Sequence, residues 1–217
     1  MPVVEIISKT CQDCYKCLRK CPVQAIRVHE GHARIVTERC IYCGHCVREC
    51  PRRAIRVRRG VEDVIRLLRS GDPVVASVAI MESSRIAPID TQIMFQLLEL
   101  GFAGVETTTR VVRSVWQRYR QIAAARDRSI ITSGCPAVVA LVERYHPEAI
   151  ESLAPVVSYA EAHARAIKER ARARGVRNVH VVSIAPEPAV LGEIRHSGRP
   201  SSLDGAITLR EMRWWIR

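Results

Sequence analysis

Eight cysteines in the first 50 residues have the type and spacing to bind metal, because thiolates are soft ligands that suit iron–sulfur clusters. They form two runs with the same spacing, C-x2-C-x2-C-x3-C, and a proline follows the last cysteine of each run. The runs are Cys11, Cys14, Cys17 and Cys21, then Cys40, Cys43, Cys46 and Cys50. This spacing lets one short loop present three sulfurs to one 4Fe-4S cluster. The pattern therefore predicts two 4Fe-4S clusters.

The two cysteine runs belong to an internal repeat with a constant offset of 29 residues. Residues 21–28 (CPVQAIRV) match residues 50–57 (CPRRAIRV). After each Cys-Pro pair we expect a small turn and a short strand, at Ile26–Val28 and at Ile55–Val57. A single unit of this kind would leave its apolar face exposed, so we expect the two units to pack together as a pseudo-twofold pair.

Residues 1–60 resemble a complete dicluster ferredoxin of the bacterial type. In two-cluster ferredoxins, the fourth cysteine of each run binds the other cluster. The resemblance therefore implies two crossed ligand sets, which are Cys11, Cys14, Cys17 and Cys50 for the first cluster and Cys40, Cys43, Cys46 and Cys21 for the second.

Two other uses of these cysteines fit the sequence less well. A disulfide framework is typical of secreted proteins, and no signal peptide precedes residue 11. Zinc sites usually combine two C-x2-C pairs, whereas each run here is a triplet with a trailing Cys-Pro. Because eight cysteines are needed as thiolates, we expect a reducing compartment, namely the cytoplasm.

The chain has 217 residues and a formal net charge of +12, which is unevenly distributed. Residues 1–60 contain 13 Lys and Arg against 5 Asp and Glu, a net charge of +8. A basic face is suited to nucleic acid or to steering an acidic redox partner. Aromatic residues make up 5%, and no basic stripe interleaved with aromatics is present, so we expect a redox partner protein and not nucleic acid. No apolar run approaches 18 residues, and we expect no membrane span.

The length and the change of pattern at Gly60 predict two domains, residues 1–60 and 61–217. After Gly60, short apolar strands alternate with amphipathic helices, which predicts an α/β domain with a mostly parallel sheet and right-handed crossovers. We expect strands at Val74–Ile80, Ala103–Glu106, Ser129–Thr132 and Val179–Ile184. We expect helices at Val61–Leu68, Asp90–Leu100, the stretch after Thr109, Pro136–Tyr145, Ala160–Ala173 and Thr208–Trp215.

The second domain has one stretch suited to chemistry, residues 132–136 (TSGCP), at a predicted strand end and helix start. With residues 138–147 (VVALVERYHP), 184–193 (IAPEPAVLGE) and 203–216 (LDGAITLREMRWWI), it resembles the iron-only hydrogenase large subunit. The resemblance covers most of residues 74–217, and a ferredoxin ahead of such a domain is a usual arrangement in that family.

The resemblance also indicates what this sequence lacks. Cys135 matches a cysteine of the family that binds the catalytic cluster. Gly134 stands where active enzymes carry the proton-transferring cysteine, and Glu187 stands where a second ligand cysteine is expected. The third cysteine motif of the family has no counterpart before Arg217. We therefore expect a hydrogenase-like domain without hydrogenase catalysis, in which Cys135 is an inert strand-end cysteine or a redox-sensing thiol.

Together these features predict an iron–sulfur electron-transfer protein with ferredoxin clusters, whose second domain serves as a docking surface. An alternative is a redox-sensing module that signals the cluster state to a partner, or a fragment of a hydrogenase-like sensor protein. The partner is accordingly an oxidoreductase or a signalling protein.

Overall fold

The computed structural model describes residues 3–79, 91–196, 198 and 200–216. The part before Gly60 contains two small antiparallel sheets and two short helices. Its elements are β1 (Val4–Ile6), α1 (Lys16–Lys20), β2 (Ile26–His29), β3 (His32–Ile35), a 3-10 turn (Thr37–Arg39), α2 (His45–Glu49) and β4 (Ile55–Val57). β1 pairs with β4, and β2 pairs with β3.

The internal repeat is visible in these elements. Helices α1 and α2 each contain the third cysteine of a run, Cys17 and Cys46, and they are offset by 29 residues, like the cysteines themselves. The predicted strands at Ile26–Val28 and Ile55–Val57 are confirmed as parts of β2 and β4. Each repeat thus supplies one cysteine loop, one short helix and one strand, and α1 packs against α2.

The part after Gly60 alternates helices and strands, as predicted. Its elements are α3 (Val61–Leu68), β5 (Val74–Val78), α4 (Thr91–Glu99), β6 (Gly104–Thr107), α5 (Thr109–Ala124), α6 (Pro136–Tyr145), a 3-10 turn (Pro147–Ser152), α7 (Tyr159–Ala173), β7 (His180–Ala185), α8 (Ala189–His196), β8 (Gly205–Thr208) and α9 (Leu209–Trp215). The four strands form one sheet in the order β6-β5-β7-β8, and every neighbouring pair is parallel. The predicted fold class is confirmed.

Both faces of this sheet are covered by helices, so its strands are apolar on both sides. On one face, Val182 and Ile184 of β7 pack with residues of α3, α4 and α9, including the fully buried Met212. On the other face, Val181 and Ala185 pack with residues of α7. The alternation of side chains along β7 therefore builds two separate cores.

The structure corrects one predicted strand and adds two elements. Residues 129–132 do not form a strand; Ile131 makes an isolated bridge to Leu153 instead. Helix α8 and strand β8 were not predicted, because β8 has four residues and α8 contains Gly192, so neither gives a clear periodicity. Ile80 and Asp90, the ends of two predicted elements, lie outside the described residues.

The N-terminal part packs directly on the α/β part. One apolar cluster joins Val4 and Ile55 of the small sheets to Leu191, Leu203 and Ala206 of the second part. The division of the chain at residue 60 into two domains stays a prediction. None of the helices in the described ranges is long and apolar enough to cross a membrane.

Candidate iron–sulfur site

The first cysteine triplet meets the last cysteine of the second run. Cys11, Cys14, Cys17 and Cys50 line one cavity, together with apolar side chains such as Ile55. The packing of α1 against α2 brings Cys50 to this place, 33 residues further along the chain than Cys17. This is the grouping implied by the resemblance to dicluster ferredoxins.

The second triplet is accompanied by the trailing cysteine of the first run. Burial, with a smaller contribution from the nearby thiols of Cys40, Cys43 and Cys21, raises the pKa of Cys46 to about 12. Burial also raises the pKa of Cys40, and Cys43 and Cys21 are again among the neighbours that act on it. Cys21 and Cys40 also pack against the same small apolar cluster of Val23, Ala25 and Ile41. Cys21 therefore lies with the second triplet, although it follows the first in sequence.

Backbone amides point at three of the sulfurs. Ala25 N donates to Cys21 Sγ at 3.2 Å, and Ala54 N donates to Cys50 Sγ at 3.3 Å. These two bonds are equivalent under the 29-residue repeat. Tyr42 N donates a third to Cys40 Sγ at 3.4 Å. Hydrogen bonds of this kind stabilise the negative charge of a thiolate-bound cluster.

The cysteine loops contain residues with positive φ values at positions that are equivalent in the two repeats. Asp13 and Tyr42, which are repeat-equivalent, have positive φ values of 45° and 57°. Tyr15 and Gly44, also equivalent, have φ values of 55° and 71° and stand immediately before α1 and α2. A non-glycine residue in the left-handed region costs conformational energy. Its occurrence at matching positions in both loops indicates that the loops are shaped for a ligand.

The residues present fit iron–sulfur clusters by the chemistry of the donor set. All nine cysteines are free thiols, and burial raises the pKa of Cys11 and Cys17. Iron has to displace the protons of such thiols, so cluster binding releases protons. Among the described residues, no group of three or more His, Cys, Asp and Glu side chains is arranged to hold a single metal ion.

The region around Cys135 is built differently. Cys135 precedes helix α6 and is partly buried. At Gly134, a Cβ atom would come within 2.6 Å of the Tyr159 ring, so a side chain there requires the ring to move. Glu187 lies shortly before α8, and burial raises the pKa of its carboxyl.

Helix α6 connects this region to the second cysteine loop. Arg144 Nη1 donates to the carbonyl oxygen of Cys40 and, at 3.5 Å, to that of Thr37. The Tyr145 hydroxyl donates to the carbonyl oxygens of Val23 at 3.2 Å and Arg39 at 2.7 Å. Sequence reasoning missed both contact residues, because nothing in residues 138–147 points to partners more than 100 residues away.

A further contact joins α8 to the same loop. The Tyr42 ring lies against Gly192, and a Cβ at Gly44 would come within 3.0 Å of Pro188. Both glycines are needed for close approach rather than for a turn alone. The second cysteine loop therefore contacts both α6 and the start of α8, although its Cys43 is exposed, like the repeat-equivalent Cys14 of the first loop.

The fold and the site define a class of protein in which an iron–sulfur dicluster domain is followed by a hydrogenase-like α/β domain. Residues 3–51 match the 4Fe-4S dicluster domain. Residues 73–217 match the iron only hydrogenase large subunit, C-terminal domain. The chain belongs to this hydrogenase large-subunit family. A search of curated proteins gives no match.

Solved structures show the same fold. A variant of the FeFe-hydrogenase HydA1 from Chlamydomonas reinhardtii matches with 22% identity and a TM-score of 0.57, and the match covers 71% of this chain and 46% of that one. HydA(deltaEFG), a FeFe-hydrogenase described in stepwise H-cluster assembly, matches with 24% identity and a TM-score of 0.55 over the same shares. The match spans about half the length of these structures.

Proposed function

We propose that this protein transfers single electrons through two 4Fe-4S clusters and that its hydrogenase-like domain is a docking surface without hydrogenase catalysis. The observation that carries the proposal is the convergence of Cys11, Cys14 and Cys17 with Cys50 around one cavity. The crossed arrangement is specific to two-cluster ferredoxins. The second cluster is assigned to Cys40, Cys43, Cys46 and Cys21.

When bound, such clusters each accept and release one electron at low potential. The residues of this chain hold them and set their surroundings. The amides of Ala25, Tyr42 and Ala54 donate to ligand sulfurs, and the buried side chains of Val23 and Ile41 shield the second site from water. Hydrogen bonds and limited solvent exposure tune the reduction potential.

Two features favour a non-catalytic second domain. The Tyr159 ring fills the space beside Gly134 that a cysteine side chain would need. Glu187 offers a carboxylate, a hard ligand that is a poor replacement for thiolate on an iron–sulfur cluster. Of the residues that the family resemblance assigns to the catalytic cluster, Cys135 alone is retained in the described chain.

The electron-donating partner is expected to bind near the first cluster. Each site has one exposed cysteine, Cys14 and Cys43, but the cavity lined by the first cysteine set is also lined by the exposed Arg52. The neighbouring Arg53 is exposed as well. Because the N-terminal part has a net charge of +8, an acidic redox protein would be steered to this face.

The proposal is tested by anaerobic reconstitution of the full chain with iron and sulfide. We expect about eight irons and eight acid-labile sulfides per chain, and reversible uptake of about two electrons from a low-potential reductant. The variant Cys135→Ala is the matched control and should load the same iron. Tightly bound zinc without labile sulfide, or full loading without reduction, would contradict the proposal.

The contacts of α6 favour a second candidate, a redox-sensing module. Arg144 and Tyr145 bind carbonyl oxygens next to the second cluster site, so a change in that loop on reduction would reach α6. Hydrogen exchange of α6 in the oxidised and the reduced protein distinguishes the two functions. Equal exchange supports simple electron transfer, and a large redox-dependent change supports sensing.

A further inference from the structure

The two cluster sites are equivalent in their cysteines but not in the charges beside them. The 29-residue repeat places Asp13 in the first loop where Tyr42 stands in the second. Each is two residues after the first cysteine of its run. The first site therefore has a carboxylate where the second has a phenol ring.

The Asp13 carboxylate is fixed beside the first site. Its Oδ1 atom lies 3.6 Å from Cys11 Sγ and accepts a hydrogen bond from Ala33 N at 3.0 Å. Its Oδ2 atom lies 2.8 Å from His32 Nδ1. The carboxylate is thus held with its charge toward the cysteine.

The second site has a fixed positive charge, and that charge comes from the hydrogenase-like part. The Arg144 guanidinium donates to the carbonyl oxygen of Cys40 and lies over the Tyr42 ring, 5.5 Å from its centroid. Tyr145 holds the end of α6 in place through its bonds to Val23 and Arg39. The guanidinium is pre-organised rather than free to swing into solvent.

Other charges near the two sites are weaker. Lys16, which lines the first site, is paired with Glu49 at 3.3 Å. Arg52 near the first site and Glu38 near the second are exposed, so water and salt screen them. Arg39, next to Cys40, lies over the Tyr145 ring, 5.9 Å from its centroid, and adds positive charge on the side of the second site. Among these groups, Asp13 and Arg144 are the ones that hydrogen bonds to the backbone hold beside a site.

The inference rests on the proposed function. We propose that Arg144 raises the reduction potential of the second cluster, bound by Cys40, Cys43, Cys46 and Cys21, above the reduction potential of the first cluster. Electrons then run from the first site toward the hydrogenase-like domain. Reduction adds one negative charge to a cluster. A nearby cation stabilises the reduced form, and a nearby carboxylate destabilises it. Arg144 is a tuning residue that acts through the loop and need not touch the iron.

The electron balance is simple. A low-potential donor protein loses one electron to the first site, the second site then gains it, and no bond is made or broken. The second loop contacts α6 and α8 of the hydrogenase-like part, which agrees with this direction. Exposure does not separate the two sites, because Cys14 and Cys43 are both exposed. The difference in charge between the two sites thus sets the direction of electron transfer.

The test is a potentiometric titration of the holoprotein, followed by electron paramagnetic resonance at pH 8, where imidazole side chains are neutral. We expect two resolved potentials. Arg144→Gln should lower the higher potential by about 59 mV, which is a tenfold shift in the equilibrium between the clusters. Asp13→Asn should raise the lower potential and keep the hydrogen bond from Ala33. Arg144→Lys should retain most of the wild-type gap.

Tyr145→Phe is the control, because it removes two hydrogen bonds from the same helix end without changing charge. It should leave the gap nearly unchanged. If Arg144→Gln fails to load its cluster, Asp13→Asn still tests the idea from the other site. The inference would be overturned if the two potentials of the wild type were equal. It would also be overturned if Arg144→Gln or Asp13→Asn left the difference between the potentials unchanged or widened it, or if Tyr145→Phe shifted the potential as much as Arg144→Gln. If both clusters load and reduce normally in those cases, the proposed function stands and the direction of electron transfer alone is wrong.

Discussion

The ring of Tyr42, in the second cysteine loop, lies against Gly192 of α8 so closely that no side chain fits between them. Tyr42 is buried, so the ring cannot turn aside into solvent. We predict that Gly192→Ala overpacks this contact and costs about 1–3 kcal/mol of unfolding free energy, beyond the small gain from the helix propensity of alanine. Chemical denaturation of the apoprotein measures the change.

The matched control is Gly104→Ala, at a strand position where a Cβ would have no neighbour within 4 Å. It should change stability much less. Equal stability of Gly192→Ala and wild type would mean that the ring and the helix do not pack as described.

A second prediction concerns crossed ligation. Because Cys21 lies with the second triplet, Cys21→Ala should lose the cluster at Cys40, Cys43 and Cys46, which is about four irons, and leave the other cluster intact. Cys50→Ala should lose the cluster of the first triplet. Iron analysis and the spectrum of the remaining cluster identify which site is empty. If each substitution instead removed the cluster of the triplet in its own run, the assignment would be wrong.

The resemblance to dicluster ferredoxins implied this grouping, and the structure brings Cys50 to the first triplet; the assignment of ligands to clusters stays a prediction. The contacts of Arg144 and Tyr145 could not be predicted in the same way, since they join residues more than 100 positions apart and no pattern marks them. The charge difference between Asp13 and Tyr42 is present in the sequence, but its meaning depends on the Ala33 amide and the α6 guanidinium, which only the fold brings near.

The second domain also shows where prediction from the sequence succeeds and where it fails. Strand β5 was predicted from its apolar run, and the structure confirms it as an interior strand of the sheet. Residues 129–132 were expected to form a strand, yet Ile131 makes only an isolated bridge to Leu153. A short apolar run does not tell a sheet strand from a connecting segment.

A third prediction follows from a buried histidine. His163 is fully buried, its Nδ1 atom lies 2.7 Å from Ser77 Oγ, and its Nε2 atom lies 3.6 Å from Glu106 Oε2. Burial lowers the pKa of His163, so the unfolded chain binds a proton there more readily than the folded protein. The contribution of neutral His163 to the free energy of unfolding should be fully present above about pH 6.5, the ordinary histidine pKa. It should be lost as the pH drops through the pKa that His163 has in the folded protein.

The variant His163→Asn keeps a polar group beside Ser77 and cannot titrate. Urea denaturation at pH 7 and pH 5 should show a smaller acid-induced loss of stability in this variant than in the wild type. An equal loss in both proteins would assign the acid sensitivity to other groups.

A fourth prediction concerns Glu187. Burial raises the pKa of its carboxyl, so the folded protein binds this proton more tightly than the unfolded chain. The protonated Glu187 carboxyl therefore contributes stability below the pKa that it has in the unfolded chain, and this contribution is lost as the pH rises through its pKa in the folded protein. Glu187→Gln should raise the free energy of unfolding at pH 7 and change it little at pH 4. The exposed control Glu169→Gln should change it little at both pH values. A loss of stability at pH 7 would show that the carboxylate has a partner that favours its charge.

The last prediction is that the protein does not evolve hydrogen, even when its ferredoxin clusters are loaded. The Tyr159 ring fills the space beside Gly134, so no thiol stands there to carry protons as a general acid. Glu187 supplies a hard carboxylate where the family resemblance expects a thiolate. A single thiol, Cys135, cannot hold a four-ligand cluster.

The assay uses reduced viologen as electron donor after exposure of the holoprotein to the hydrogenase maturation machinery. Hydrogen evolution should equal that of the Cys135→Ala control. The double variant Gly134→Cys with Tyr159→Ala restores both the thiol and the space for it, and it should still be inactive because Glu187 remains. Turnover by the wild type clearly above the Cys135→Ala control would show that the hydrogenase-like domain holds a working catalytic cluster.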